Sequence, residues 1–286
     1  MPVSLHSTGK ASFDHIYDRP DPREYYARMA ELDYCIPELA TPHFARLISD
    51  YREATGIAAP TVLDLGCSYG VNAAMLRLGI TMAELTRHYR DADAAGTANG
   101  EDATAALIAR DRARLTTADR LPGVRFLGMD ASRPALDYAR AAGLLHDTVH
   151  ADLESADPTE AQRATLATAD LVISTGCVGY ITDRTLLRVA RAHGGKLPWM
   201  AHFVLRMFSF DPIAARLAEL GYRTERVPGA FRQRRFAAAD ERTQVLNTLA
   251  DNGVDTEGHE SDGWLYAQLY VSRPSPTLSF DHEDLS

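Results

Sequence analysis

Residues 61–70 read TVLDLGCSYG: a β-branched apolar run, an acid, then a loop with glycines on either side of a serine. A buried strand that turns sharply into a helix needs such residues, because Gly66 and Gly70 permit positive φ or close backbone approach. The same backbone freedom lets the start of a helix cradle an anionic or polar ligand. One glycine-rich turn does not decide between a plain turn and a cradle. The ends of the next apolar runs do.

VRFLGMD (124–130) is a second apolar strand, and Asp130 ends it. In doubly wound domains an acid at that position holds both hydroxyls of an adenosine ribose. Asp152, in VHADLE, ends a third strand, where a carboxylate can accept from the exocyclic amine of an adenine. DLVISTG (170–176) ends in small residues, Ser174 and Gly176, that leave room above a sheet. A glycine loop, two acids and a small-residue loop on four consecutive strands mark the carboxyl edge of a sheet, where such folds bind ligands. The combination is far more specific than any of its parts. A nicotinamide fingerprint wants G-x-G-x-x-G with an acid roughly 20 residues beyond. Gly66-Cys67-Ser68-Tyr69-Gly70-Val71 lacks that spacing, and no Gly-Lys-Ser/Thr P-loop is present.

The elements that must position these residues alternate. Strands are expected at 61–66, 124–130, 146–152, 170–176, 200–207, 222–228 and 264–273, with helices such as SRPALDYARAAG and DPIAARLAELG between them. The expected fold is α/β: a Rossmann-like doubly wound sheet of seven strands with the last strand antiparallel. Residues 13–57 form a helical arm or lid, with helical spacing in REYYARMAEL and in TPHFARLISDYREAT, where Thr41 can cap and Pro42 sits in the first turn. That arm holds more aromatics (Phe13, Tyr17, Tyr25, Tyr26, Tyr34) than plain helices require. The α/β domain is expected over 58–275. Within it, 72–121 is too long for one crossover helix and reads as a helical insertion, packed at the sheet edge or over the ligand face. Residues 1–12 and 276–286 read as a disordered start and a loose tail.

Composition narrows the partners. The chain has 286 residues, 45% of them apolar, enough for one large core. Thirty Lys and Arg against 39 Asp and Glu give a net charge of −9, which disfavours a nucleic-acid partner. Three scattered cysteines, Cys35, Cys67 and Cys177, fit a reducing compartment and a structural role. MPVSLHSTGKASF has no apolar core for a signal peptide, and no apolar stretch approaches the ~20 residues of a membrane span. A cytoplasmic protein without a membrane partner, acting on a small molecule without a metal, is the expectation.

The pattern resembles class I S-adenosylmethionine-dependent methyltransferases over about residues 40–275: VLDLGCSYG their first motif, Asp130 their ribose acid, HADLE their adenine-side motif, DLVISTGCVGYIT their fourth strand and loop. The resemblance implies S-adenosylmethionine as cofactor. Asp64, Gly66 and Gly70, with Cys67 and Ser68 between them, would line its methionine side, and Asp152 with Leu153 its adenine. Ser68 stands where many members carry glycine, and the insertion sets Asp130 unusually far from Gly70.

Tyr180, in CVGYIT, follows the fourth strand and either orients an acceptor near the sulfonium or packs under the arm. Tyr34 and Tyr26 join it as candidate catalytic tyrosines of a closing lid. Arg206, within the apolar FVLRM, requires a buried carboxylate of ligand or protein. Arg234, with Arg232 and Arg235 in FRQRRF, either clamps a substrate anion or is ordinary solvated charge. His146, His150 and His202 fall at or within strands and read as core histidines. Methyl transfer to a small molecule is the leading function. The alternative uses the aminocarboxypropyl arm: the cofactor's α-amine closes on its γ-carbon to give azetidine-2-carboxylate and methylthioadenosine, as in azetidine-forming synthases of this kind. A non-catalytic binding protein ranks last, because Asp64, Gly66, Gly70 and Asp152 are intact in kind.

Overall fold

A computed structural model describes residues 14–94 and 101–275. The expectations for 1–12, for Phe13 and for the 276–286 tail lie outside the described residues. In chain order the elements are α1 (Asp14–Tyr17), α2 (Arg23–Glu31), α3 (Ile36–Thr55), β1 (Thr61–Leu65), α4 (Val71–Leu78), α5 (Met82–Ala94), α6 (Glu101–Ala118), β2 (Arg125–Asp130), α7 (Arg133–Ala141), β3 (Asp147–His150), α8 (Glu160–Leu166), β4 (Leu171–Thr175), α9 (Asp183–Ala192), β5 (Trp199–Leu205), α10 (Asp211–Ala218), β6 (Tyr222–Arg226), β7 (Phe231–Arg235), α11 (Ala239–Asp251) and β8 (Trp264–Pro274).

The strands form one sheet in the order β3-β2-β1-β4-β5-β8-β6. β1, β2, β3, β4 and β5 pair in parallel, and β8 runs antiparallel to β5. The order reverses between β1 and β4, so the connections from their carboxyl ends run in opposite directions and leave a crevice between them. Both faces are covered, as the continuous apolar runs require. Val62, Phe126, Ile173 and Phe203 pack on one side against Phe44 of α3, Leu76 of α4 and Leu136 of α7. Their neighbours Leu63, Leu127, Val172 and Val204 pack on the other against Leu166, Leu186, Val189 and Leu217.

The seven expected strands form, but the sheet has eight. The arginine cluster FRQRR forms β7, paired antiparallel with the first residues of β8. β6 and β7 share one edge of β8, because Arg226 faces Tyr270 and Phe231 faces Ala267. Val227 N–H still donates to the Leu269 carbonyl at 2.9 Å, and residues 228–230 take up the extra length between the two pairings. The second arm helix also starts earlier than Thr41. α3 begins at Ile36 with Pro37 in its first turn, Pro42 lies inside it, and the Thr41 hydroxyl donates to the Pro37 carbonyl at 2.9 Å. Proline at the first turn forfeits no helical bond, whereas Pro42 forfeits one, offset by the apolar face from Ile36 to Tyr51.

The inserted α5 and α6 pack beside the arm. Tyr26 of α2 stacks on Tyr89 of α5, with ring centroids 4.6 Å apart. Asp111 of α6 is buried and accepts from Tyr89 at 2.8 Å and from Tyr138 of α7 at 2.7 Å, with His88 at 2.6 Å. Three partners satisfy a carboxylate that would otherwise be costly to bury. No described helix is long and apolar enough to cross a membrane.

Candidate active site

The loop after β1 makes three left-handed residues in five: Gly66 at φ 64°, Ser68 at φ 50° and Gly70 at φ 77°. Gly66 is required by packing, since a β-carbon there would stand 2.7 Å from Cys177 Cβ. Ser68 has no such excuse; a non-glycine left-handed residue costs roughly 1–2 kcal/mol. Its hydroxyl is buried and has no hydrogen-bond partner among the described residues. Two backbone N–H groups meet Asp130: Ser68 donates to Oδ2 at 2.8 Å and Ser132 to Oδ1 at 2.9 Å. Asp130 thereby ties the loop after β1 to the loop after β2, over the 62 residues that separate it from Ser68. Burial raises its pKa, opposed by the N–H groups of Ser132, Ser68 and Ala131.

Asp64 is fully buried at 0% exposure. Asn72, in the first turn of α4, donates to its Oδ1 at 2.9 Å, and Oδ2 has no partner among the described residues. Burial pushes this carboxyl up to about 7, with Asn72 pulling it down and Asp130 pushing it further up. Asn72 Nδ2 also lies 3.2 Å from Thr175 Oγ1, at the end of β4.

The arm crosses the carboxyl edge directly above these groups. The buried Tyr69 hydroxyl faces the carbonyls of Ile16, Tyr17 and Arg19 at 3.1, 3.1 and 3.0 Å. Ser132 Oγ donates to the Tyr17 carbonyl at 2.6 Å. So pinned, the Tyr17 phenol comes within electrostatic reach of Tyr34, Asp130, Tyr180 and Arg234, and burial above all pushes its pKa up. Burial likewise raises Tyr34, which Thr175 and Arg234 pull down and Asp64 pushes up. The Tyr17 and Tyr25 rings are 5.6 Å apart. β7 holds the other end of the arm, through Cys35 N–H to the Gln233 carbonyl at 2.9 Å and Arg235 N–H to the Leu32 carbonyl at 2.7 Å.

Of the expected site residues, Asp64, Ser68 and Asp130 meet at this crevice, with Gly66 on the same loop and Tyr34 and Tyr180 bordering it. Cys67 packs into the core against Gly128, Gly70 against Ala139 and Leu144, and Gly176 against Gln233. Tyr180 is 36% exposed. Asp152 stands apart at the end of β3, exposed, its carboxylate accepting from Glu154 N–H at 2.9 Å, with Leu153 buried beneath it. Ser174 and Tyr26 are turned away from the crevice, and protein ion pairs take the place of the substrate-binding roles expected of Arg206 and Arg234. Ser174 points into the sheet, where its hydroxyl meets His202 Nδ1 at 2.8 Å; burial holds His202 down to about 3, hence neutral. Tyr26 turns from the site toward Tyr89, because its face of α2 is the one the insertion covers. Arg206 and Arg234 meet protein carboxylates. Arg206 is 2.8 Å from Glu260, and Arg234 binds both oxygens of Glu241 at 2.9 and 2.6 Å. The second pair is 4% and 0% exposed and anchors β7 to α11. His150 lies 2.9 Å from the Ala131 carbonyl, and His146 accepts from Phe126 N–H at 3.0 Å, so neither faces the crevice. Sequence reasoning missed Asn72, Thr175 and Tyr17 as site residues. Asn72 was findable, since it lies eight residues after Asp64 at the start of the helix that Asp64's loop must enter.

No protein-family model matches the chain, and no curated protein matches its sequence. Among solved structures it is similar to EvdMO1, at 16% identity and a TM-score of 0.39, over 80% of this chain and 40% of that one. A TehB-like SAM-dependent methyltransferase from Corynebacterium glutamicum gives 15% and 0.37, over 82% and 100%. The plantazolicin methyltransferase BpumL in complex with SAH gives 10% and 0.38, over 91% and 88%. The chain spans less than half the length of EvdMO1.

Proposed function

We propose that this protein is an S-adenosylmethionine-dependent transferase that methylates a small molecule. One observation carries the reading: at the β1/β4 crevice, beside a left-handed loop, the buried Asp64 keeps an oxygen with no partner among the described residues. A buried carboxylate oxygen of that kind calls for a cation, and an amino-acid ammonium is a fitting one. The unpartnered Ser68 hydroxyl on the same loop adds a second contact for a polar ligand. A sheet ordered 3-2-1-4-5 with an antiparallel strand beyond β5 is the arrangement the sequence resemblance implies.

The residues present fit this cofactor. Asp64 Oδ2 would accept from its ammonium, and the remaining lone pairs of Asp130 from its ribose hydroxyls. When bound, the cofactor supplies an activated methyl group on a sulfonium. Tyr17, Tyr34 and Tyr180 would keep water out and turn ring faces to the cation. Asp130 and Asp64 reach these phenols but would be engaged by the loop N–H groups and ribose and by Asn72 and the ammonium, so an acceptor already nucleophilic at neutral pH suits the site, and positioning does the work.

The near-neutral Asp64 favours one second reading, cyclisation of S-adenosylmethionine as substrate. Asp64 takes a proton from the α-ammonium, the nitrogen bonds to the γ-carbon, the carbon–sulfur bond breaks, and methylthioadenosine leaves with the electron pair. Mass spectrometry after incubation with S-adenosylmethionine alone separates the two. Cofactor that raises the melting temperature and stays intact is expected. Methylthioadenosine with a matching amino acid would replace methyl transfer by cyclisation. No thermal shift would sink both.

A further inference from the structure

Asp64 is held by a chain of neutral groups. Asn72, 3% exposed, bridges Asp64 Oδ1 at 2.9 Å and Thr175 Oγ1 at 3.2 Å, joining the ends of β1 and β4 through α4. Thr175 in turn stands beside the Tyr34 phenol of the arm. The titratable groups that face Asp64 are Asp130 from β2, Cys67 from the loop and Tyr34 from the arm. Arg234 of β7 acts on Tyr34 and Tyr17 and is itself paired with Glu241. No described basic side chain bonds the Asp64 carboxylate.

Resting on the cofactor reading above, we propose that Asn72 is a positioning residue that turns Asp64 into a proton-linked clamp for a primary α-ammonium. By tying off Oδ1 it leaves Oδ2 alone to meet the ligand. The geometry then sorts adenosine ligands by chemistry: those ending in an α-amino acid need Asp64 ionised, and those without that end do not. Burial outweighs the Asn72 hydrogen bond and leaves the free carboxyl titrating near 7, so ammonium binding must expel a proton at lower pH. Removing the Asn72 donor moves that titration upward.

The test is calorimetric titration of the full chain with S-adenosylhomocysteine and with 5′-methylthioadenosine, which lacks the amino-acid arm, from about pH 6 to about pH 8. Wild type should lose affinity for the first ligand by up to about tenfold per pH unit below about 7, with methylthioadenosine binding flat. Asn72→Leu should move the onset of that loss to higher pH and leave methylthioadenosine affinity within about twofold. A homocysteine-ligand profile as flat as that of methylthioadenosine overturns the proposal. So does an unmoved midpoint in an Asn72→Leu protein that still binds methylthioadenosine. Should Asn72→Leu not fold, Thr175→Val keeps shape and loses only the hydroxyl; its midpoint should shift in the same direction, and an unmoved one overturns the chain. If wild type binds neither ligand, the cofactor reading itself has failed, an outcome distinct from a flat profile with both bound.

Discussion

Asp64 and Asp130 close neighbouring parallel strands, and both are carboxyls whose pKa burial raises. Their oxygens are used in opposite ways. Asp130 gives one oxygen to Ser68 N–H and the other to Ser132 N–H, so it builds the crevice by joining two loops. Asp64 gives one oxygen to Asn72 and withholds the other. A carboxylate with both oxygens bonded to N–H groups organises backbone and keeps only spare lone pairs for neutral hydroxyls; one with an unpartnered oxygen in a buried place suits a cation. Asp64 lies opposite Gly128, one residue before β1 ends, and Asp130 is the last residue of β2, so the same residue type meets different surroundings at the two strand ends.

The contrast breaks most visibly at Asp64 as pH varies. Its folded-state pKa is raised to about 7 from an ordinary value of 3.8. Between those values the folded chain binds more protons than the unfolded one, so stability falls as pH rises through that window. The loss is up to about 4 kcal/mol at one pKa unit per 1.36 kcal/mol. Asp64→Asn should lack this slope, and urea unfolding at about pH 5 and about pH 8 would measure it. The variant should also lose most of its affinity for a ligand with an ammonium. Parallel pH profiles for the two proteins would mean that Asp64 is not buried as charge.

Asp130 should behave as a structural carboxylate. Asp130→Ala strands two backbone N–H groups, each bonded to a charged oxygen and worth ~1.5–3 kcal/mol. A loss of about 3 kcal/mol in unfolding free energy is expected, with the loop after β1 exchanging its amide hydrogens faster. Asp130→Asn keeps one acceptor and should recover about half. Equal behaviour of alanine and asparagine would show that the two N–H groups do not depend on this side chain.

These two acids also mark what the sequence made legible. Asp130 was readable as the end of an apolar strand and Asp64 as an acid near the end of another, because continuous runs such as VLDL and RFLGM can only be buried between two helical layers. Which acid kept a spare oxygen was not readable, since that depends on Asn72 and Ser68 finding their places in three dimensions. The same holds for the arm. Tyr17 and Tyr26 are equivalent as aromatics of one short segment. Only the Tyr69 and Ser132 anchors, 52 and 115 residues from Tyr17, send the first over the site, and Tyr89 takes the second away. β7 escaped for a related reason: three arginines in FRQRR carry no strand alternation. Its pairing exists because β8, at 11 residues, is long enough to hold two partners on one edge. The buried carboxylate that satisfies Arg234 comes from the next helix.

Tyr69→Phe tests whether the arm is held by its pin. The change keeps the ring against Tyr138, at 6.0 Å, and removes one hydrogen bond to the arm carbonyls, worth about 1 kcal/mol. Limited proteolysis between Tyr17 and Arg23 should accelerate several-fold, with the global unfolding midpoint hardly moved. Unchanged cleavage would assign the arm's hold to its apolar packing.

The smallest effect is expected at Ser68, and it separates fold from site most cleanly. Glycine at φ 50° escapes the left-handed penalty of roughly 1–2 kcal/mol but loosens the unfolded chain by about 0.4–1 kcal/mol. Ser68→Gly should therefore raise stability by up to about 1 kcal/mol. The Ser68 N–H to Asp130 survives, because it is backbone. What the variant loses is a buried hydroxyl that has no partner among the described residues. If that hydroxyl meets the cofactor, affinity drops about threefold to tenfold as stability rises, the value of one neutral hydrogen bond. If stability rises and affinity stays, the serine touches nothing in the bound state, and Asp64 alone of the two open groups serves the ligand.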